Sequence, residues 1–310
     1  MRINLTLPLA LLAISGPLYA QTPVTLAAAE RAPNYDEELA LAALEGLMAQ
    51  PGERALPIIR KVLAGQQSKL VKQRALFVLS QIDSPEAQQL LMQSARSTDP
   101  AMRGEAIRAI GIGGDPKSLD ALQEIYGAGA ADVKDDVLQA WLIADRKEAV
   151  YQAAVNAKSE DEANRAIRIL GAMGATEELR KLGDRPNASS GLVEAYAISG
   201  DLASLRKIAE GNGHGNDNRA LRLDAVRKIG IIGSDAANAA LREIYARTND
   251  TEIRDAALQG MLISGDDQGV LALYRAAKSS EEKRTLMRHL SMMDGEAALQ
   301  AIDQALEGKK

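Results

Sequence analysis

The strongest constraint on this chain is a period. An apolar residue followed by a basic one recurs as Val71-Lys72, Met102-Arg103, Val133-Lys134, Leu221-Arg222 and Ile253-Arg254. Neighbouring members lie 31, 31 and 32 residues apart, and the gap of 88 from Val133 to Leu221 leaves room for two degenerate copies. A unit of this length cannot close a core of its own. Its apolar face is buried only when the next unit stacks on it, so the chain must build by edge-to-edge repetition.

Each copy opens a helix and then breaks it. In Asp99-Pro100-Ala101-Met102-Arg103, Asp99 is placed to cap an N-terminus and Pro100 to occupy the first helical position. Met102, Ala106, Ala109 and Ile110 follow on one face of a 3.6-residue period. Gly111, Gly113 and Gly114 are expected to close that helix, and Asp115-Pro116 to start a second one that includes Lys117 to Tyr126. A longer period overlies the short one: residues 102–182 align with 221–302 through a single-residue gap. Glu124-Ile125-Tyr126 falls on Glu243-Ile244-Tyr245, and Ala157-Lys158-Ser159 on Ala277-Lys278-Ser279. A three-repeat block has been duplicated. Residues 183–191 and 211–218, rich in Gly, Asn and Pro, are expected to be loops.

Composition supports helices over sheets. Aromatic residues make up 3% of the chain, with Trp141 and Phe77 the only Trp and Phe, so the core must be Ala, Leu, Ile, Val and Met. Arg2, the apolar run from Leu5 to Ile14 and the small Ala20 predict a signal peptide over residues 1–20, cleaved after Ala20. The run is too short to span a bilayer. A flexible leader is expected over 21–35 and one continuous solenoid over 36–310. With no cysteine there is neither a disulfide nor a lipid-modified thiol, which suits a periplasmic or secreted protein. Loss of Arg2 with the signal moves the formal charge from −5 to −6, which argues against general nucleic-acid binding.

The run Asp-Pro-x-φ-Arg-x-x-Ala-φ-x-Ala-φ-Gly-x-φ-Gly-Asp, with φ apolar, resembles the HEAT-like repeat of the phycobilin lyases. The resemblance spans roughly residues 36–310 as about nine repeats. It implies an all-α fold, an α-α superhelix of helical hairpins, with the arginine-bearing helix on the concave side. It does not imply a function, because folds of this kind host many.

Little in the chain points to chemistry. The two histidines, His214 and His289, and the absence of cysteine cannot assemble the usual zinc ligand set. Gly211-Asn212-Gly213-His214-Gly215 is not a phosphate loop, since no strand precedes it and no Gly-Lys-Ser/Thr follows. Deoxyhypusine hydroxylases, which share HEAT-like repeats, bind iron through His-Glu pairs. Here Gly215 follows His214 and Leu290 follows His289. The DNA glycosylases of similar architecture use a basic groove that this acidic chain lacks. The expectation is therefore a protein without enzymatic activity, cofactor or metal, serving as a binding scaffold of the cell envelope for a protein or an acidic peptide. The alternatives are a small-ligand-processing enzyme of the lyase kind and a structural subunit of an envelope complex.

A register within the first helix of each repeat selects candidate binding residues. With the apolar residue before the basic one as position one, positions one, five and nine face the core, and position seven faces away. Position seven reads Phe77, Arg108, Gln139, Arg168, Glu194, Arg227, Gln259 and Arg288. This row could receive acidic or polar groups of a partner. Alternatively its arginines could pair with carboxylates of the next repeat, such as Asp135, Asp136, Glu162 or Asp255. The basic residues at position two, Arg103, Lys134, Arg222 and Arg254, are expected to bond neighbouring helix ends. Phe77 is either a hydrophobic anchor or a ring packed under a long side chain, and Trp141, at position nine, should be core.

Overall fold

A computed structural model describes residues 35–184, 190–211 and 218–307. The expected signal peptide, residues 21–34 of the leader and His214 lie outside the described residues. Among these residues there are eighteen α-helices and no strand. They pair as α1 (Tyr35–Leu47) with α2 (Gly52–Ala64), α3 (Lys69–Ser80) with α4 (Pro85–Ala95), and α5 (Pro100–Gly113) with α6 (Pro116–Ala128). Next come α7 (Ala131–Ile143) with α8 (Lys147–Val155), α9 (Glu160–Ala172) with α10 (Thr176–Gly183), and α11 (Ser190–Ile198) with α12 (Leu202–Ala209). The last three pairs are α13 (Arg219–Ile232) with α14 (Asp235–Arg247), α15 (Thr251–Ser264) with α16 (Asp267–Ala276), and α17 (Ser280–Leu290) with α18 (Glu296–Leu306). Nine hairpins stack into an α-α solenoid.

The helix starts follow from side-chain capping. Asp99 Oδ1 accepts from the Ala101 amide at 2.9 Å and Asp115 Oδ2 from the Ser118 amide at 2.7 Å. Ser68, Ser84, Ser159, Ser234 and Ser279 cap their helices in the same way. Each such bond satisfies an amide that the helix itself leaves unpaired. Proline stands at the first turn of α4, α5 and α6, where no hydrogen bond is lost.

One expected boundary is corrected. α5 does not end at Gly111 but runs through Gly113, and of that glycine cluster only Gly114 takes the left-handed conformation, at φ 71°. Gly111 is instead a contact residue. A Cβ there would lie 2.8 Å from the Ala140 Cα of α7. The same position of α13, Gly230, meets Gly260 of α15, where a Cβ would lie 2.5 Å from the Gly260 Cα. From α1 to α15 the odd-numbered helices pack directly on one another, at Gly111 and Gly230 to backbone contact, while the even-numbered helices meet one another less closely and α17 packs on α16 and α18.

The core runs without interruption from Leu44 to Ala301 and is aliphatic. Trp141 is buried as expected, with its indole N–H donating to the Leu119 carbonyl at 3.3 Å and its ring 5.4 Å from that of Tyr126.

Candidate functional site

The odd-numbered helices carry the seventh-position row. Arg108 on α5, Gln139 on α7, Arg168 on α9, Arg227 on α13, Gln259 on α15 and Arg288 on α17 are exposed, whereas Phe77 on α3 and Glu194 on α11 are half-buried. None of the four guanidinium groups forms an ion pair or hydrogen bond with another described residue. Of the carboxylates considered for them, Asp135 pairs with Arg165 at 3.1 Å and Glu162 with Lys134 at 2.7 Å. Burial raises the pKa of Asp136, and nearby Arg103 only partly opposes this. Glu194 is engaged by Lys228. Phe77 lies beneath the Arg74 guanidinium, 5.7 Å from its ring centre.

Position two forms a ladder along the helix starts. Arg103 reaches Asp132 in the first turn of α7 at 2.9 Å, Lys134 reaches Glu162 at the start of α9, and Arg254 reaches Glu282 at the start of α17 at 2.5 Å. Arg222 donates to the Ala209 carbonyl at the end of α12. The two copies of the duplicated block repeat one cluster. Lys134 sits 5.2 Å above the Tyr126 ring and holds Glu162, and Arg254 sits 4.3 Å above the Tyr245 ring and holds Glu282. Burial would raise the pKa of Glu162, but hydrogen bonds from the Lys134 ammonium and the Lys158 amide outweigh it and hold the carboxyl below its ordinary range. Burial, with the Glu162 charge beside it, pushes the Tyr126 hydroxyl up to about 12. These cations are structural ties, which leaves position seven as the unpaired cationic row. In the fifth and ninth repeats the first position holds a glutamate in place of an apolar residue, because there it receives the tie from the repeat before.

Residues 56–141, from α2 to α7, match the model of the HEAT repeats. Over this stretch the chain is similar to the HEAT repeats. Among curated proteins none matches the chain. Solved structures similar to it include two enzymes by name. One is human deoxyhypusine hydroxylase in complex with glycerol, at 19% identity and TM-score 0.31, covering 74% of this chain and 97% of that one. The other is the complex of CpcE and CpcF of phycocyanin lyase from Nostoc, at 18% identity and TM-score 0.33, covering 90% and 99%. Such likeness extends to the fold alone. It nonetheless corrects the expectation that this chain is not an enzyme. Both neighbours are enzymes by name.

The repeat register exposes a second row that the sequence reading passed over. Position eleven, four residues beyond each member of the arginine row, reads Ile112, Ile143, Ala172, Ile198, Ile231, Ile263 and Met292 from α5 to α17. All but Ala172 are large apolar side chains left in water. The signal was present in the spacing. At Ile112 it was missed because closing the helix at Gly111 placed that residue in a turn, whereas α5 continues through Gly113. Among the described residues no group of three His, Asp or Glu side chains is placed to hold a metal ion. His289 Nδ1 lies 3.0 Å from the Thr285 carbonyl one turn earlier. No described helix is long and apolar enough to cross a membrane.

Proposed function

We propose that this protein is a binding scaffold that holds a protein or peptide segment along the face formed by its odd-numbered helices. The observation that carries the reading is the row Arg108, Arg168, Arg227 and Arg288, exposed and without an ion partner among the described residues. Four fixed positive charges at regular intervals suit an acidic segment, whose association they would steer and whose register they would set. Close approach of the odd-numbered helices, against looser packing of the even ones, supports placing this face on the inner side of the bend. The N-terminal pattern of Arg2, Leu5 to Ile14 and Ala20 supports export to the periplasm or beyond. Replacing the four arginines by glutamate should abolish partner capture, read by in-cell crosslinking and mass spectrometry, with helicity unchanged by circular dichroism. An identical set of crosslinked partners would remove the arginine row from the binding surface.

A further inference from the structure

The face that carries the arginines also carries a continuous apolar track. Positions seven and eleven are four residues apart, so on α5, α7, α11, α13 and α15 they lie one above the other on the exposed side of the helix. From α11 to α17 the eleventh position is Ile198, Ile231, Ile263 and Met292, exposed by 51, 62, 69 and 53%. One exposed isoleucine is ordinary on any protein. Three in register on the stacked helices α11, α13 and α15, with Met292 just past the end of α17, make a strip, and such strips mark interaction surfaces. Beside it run Arg227, Gln259 and Arg288, while Glu194 is already neutralised by Lys228. One turn before Arg227 and Gln259 stand Asp224 and Asp255. The order is therefore acid, arginine, isoleucine on α13 and acid, glutamine, isoleucine on α15.

We propose that this two-track surface docks an amphipathic α-helix of a partner protein, its apolar stripe on Ile198, Ile231, Ile263 and Met292 and an acidic stripe on Arg227 and Arg288. The inference rests on reading the odd-numbered face as a binding surface, and it names the occupant. Packed helices lie about 8–10 Å apart, so α11, α13 and α15 span roughly 16–20 Å. A helix of about 18–20 residues, roughly 27–30 Å long, covers that span with length left for a fourth anchor at Met292. Along such a helix, residues seven apart recur on nearly the same face about 10.5 Å on, which supplies one anchor per repeat. An extended segment fits less well, because its side chains alternate between opposite sides and present a single line to the surface. It would leave one of the two tracks bare. Charge complementarity selects the flank: the acidic stripe must lie on the arginine side of the apolar one, which also sets the direction in which the helix lies.

The test uses the full chain and a fluorescein-labelled synthetic helix of 20 residues, with leucine every seventh residue and an adjoining line of glutamates, read by fluorescence anisotropy. The expected result is saturable binding that weakens at least tenfold for a sequence-scrambled peptide. Ile231→Ser/Ile263→Ser/Met292→Ser should weaken it at least tenfold with an unchanged circular dichroism spectrum. Arg227→Gln/Arg288→Gln should weaken it and flatten its dependence on salt. Equal binding of the scrambled peptide overturns the proposal, as does a self-association of the chain, seen by sedimentation, that the serine variant abolishes. If the serine variant binds normally while the arginine variant does not, the acidic-segment reading stands and the helix proposal falls. If neither peptide binds, the helix proposal falls as well, and the crosslinking experiment with the four-arginine variant decides the broader reading separately.

Discussion

Replacing Gly230 by alanine should destabilise this protein, although alanine is the better helix former. The intrinsic preference alone would favour the change by about 1 kcal/mol, because glycine in a helix interior gives up more backbone freedom. The new methyl, however, would stand 2.5 Å from the Gly260 Cα and 3.3 and 3.4 Å from its carbonyl carbon and oxygen. Carbon atoms in contact prefer about 3.5–4.0 Å, so α13 and α15 would have to separate by about 1 Å. Neither partner is a side chain that can rotate away. Overpacking of this kind costs about 1–3 kcal/mol, and a backbone contact belongs at the upper end. Subtracting the propensity gain leaves a loss of about 1–2 kcal/mol. Gly127 in α6 supplies the control, since nothing lies within 4 Å of a Cβ there. Gly127→Ala should therefore stabilise by about 0.5–1 kcal/mol. Both variants would be compared with the parent by urea denaturation followed at 222 nm. If Gly230→Ala matches or exceeds the parent in stability, the odd-numbered helices are not held by backbone contact, and the spacing assigned to the exposed rows is wrong.

Trp141→Ala should cost about 3–5 kcal/mol, seen as a lower urea midpoint, because it empties the largest fully buried side chain and removes the donor to the Leu119 carbonyl. Asp201 predicts a pH dependence. Burial would raise its pKa, but Arg180 and the Ser204 hydroxyl and amide outweigh this and depress it. A carboxyl whose folded pKa lies below its unfolded one stabilises the fold above about pH 4, and that stability is lost as the pH falls through the folded value. Thermal melts from pH 6 to pH 3 should show this loss, and Asp201→Asn should start less stable and lose less. A parallel fall in the two proteins would rule out Asp201 as its source.

Much of the fold is legible from the residues alone. The recurring apolar-basic pair, the Asp99-Pro100 start and the aliphatic composition lead to stacked helical hairpins without any tertiary information. The seventh-position row is legible too, because a helix repeats its faces every 3.6 residues. The glycines were harder. In Gly111-Ile112-Gly113-Gly114 the same residue type serves two purposes, close approach at Gly111 and a left-handed turn at Gly114. A local reading has no way to separate them, because the first purpose depends on Ala140 of the next helix.

Local pattern by itself determined which residues form helices, which face of each helix is apolar, and which side chains point outward, since all three follow from backbone periodicity and short-range capping. Tertiary structure alone decided which outward charges find partners. Whether Arg108 or Arg165 takes Asp135 depends on distances across a repeat boundary, and the chain places Arg165 beside that carboxylate and leaves Arg108 unpaired among the described residues. It also decided that α5, α7, α11, α13 and α15 run on far enough to lift an isoleucine into water beside the seventh-position row. A helix ends where its carbonyls can be satisfied and its neighbour can approach, and both conditions are set by packing.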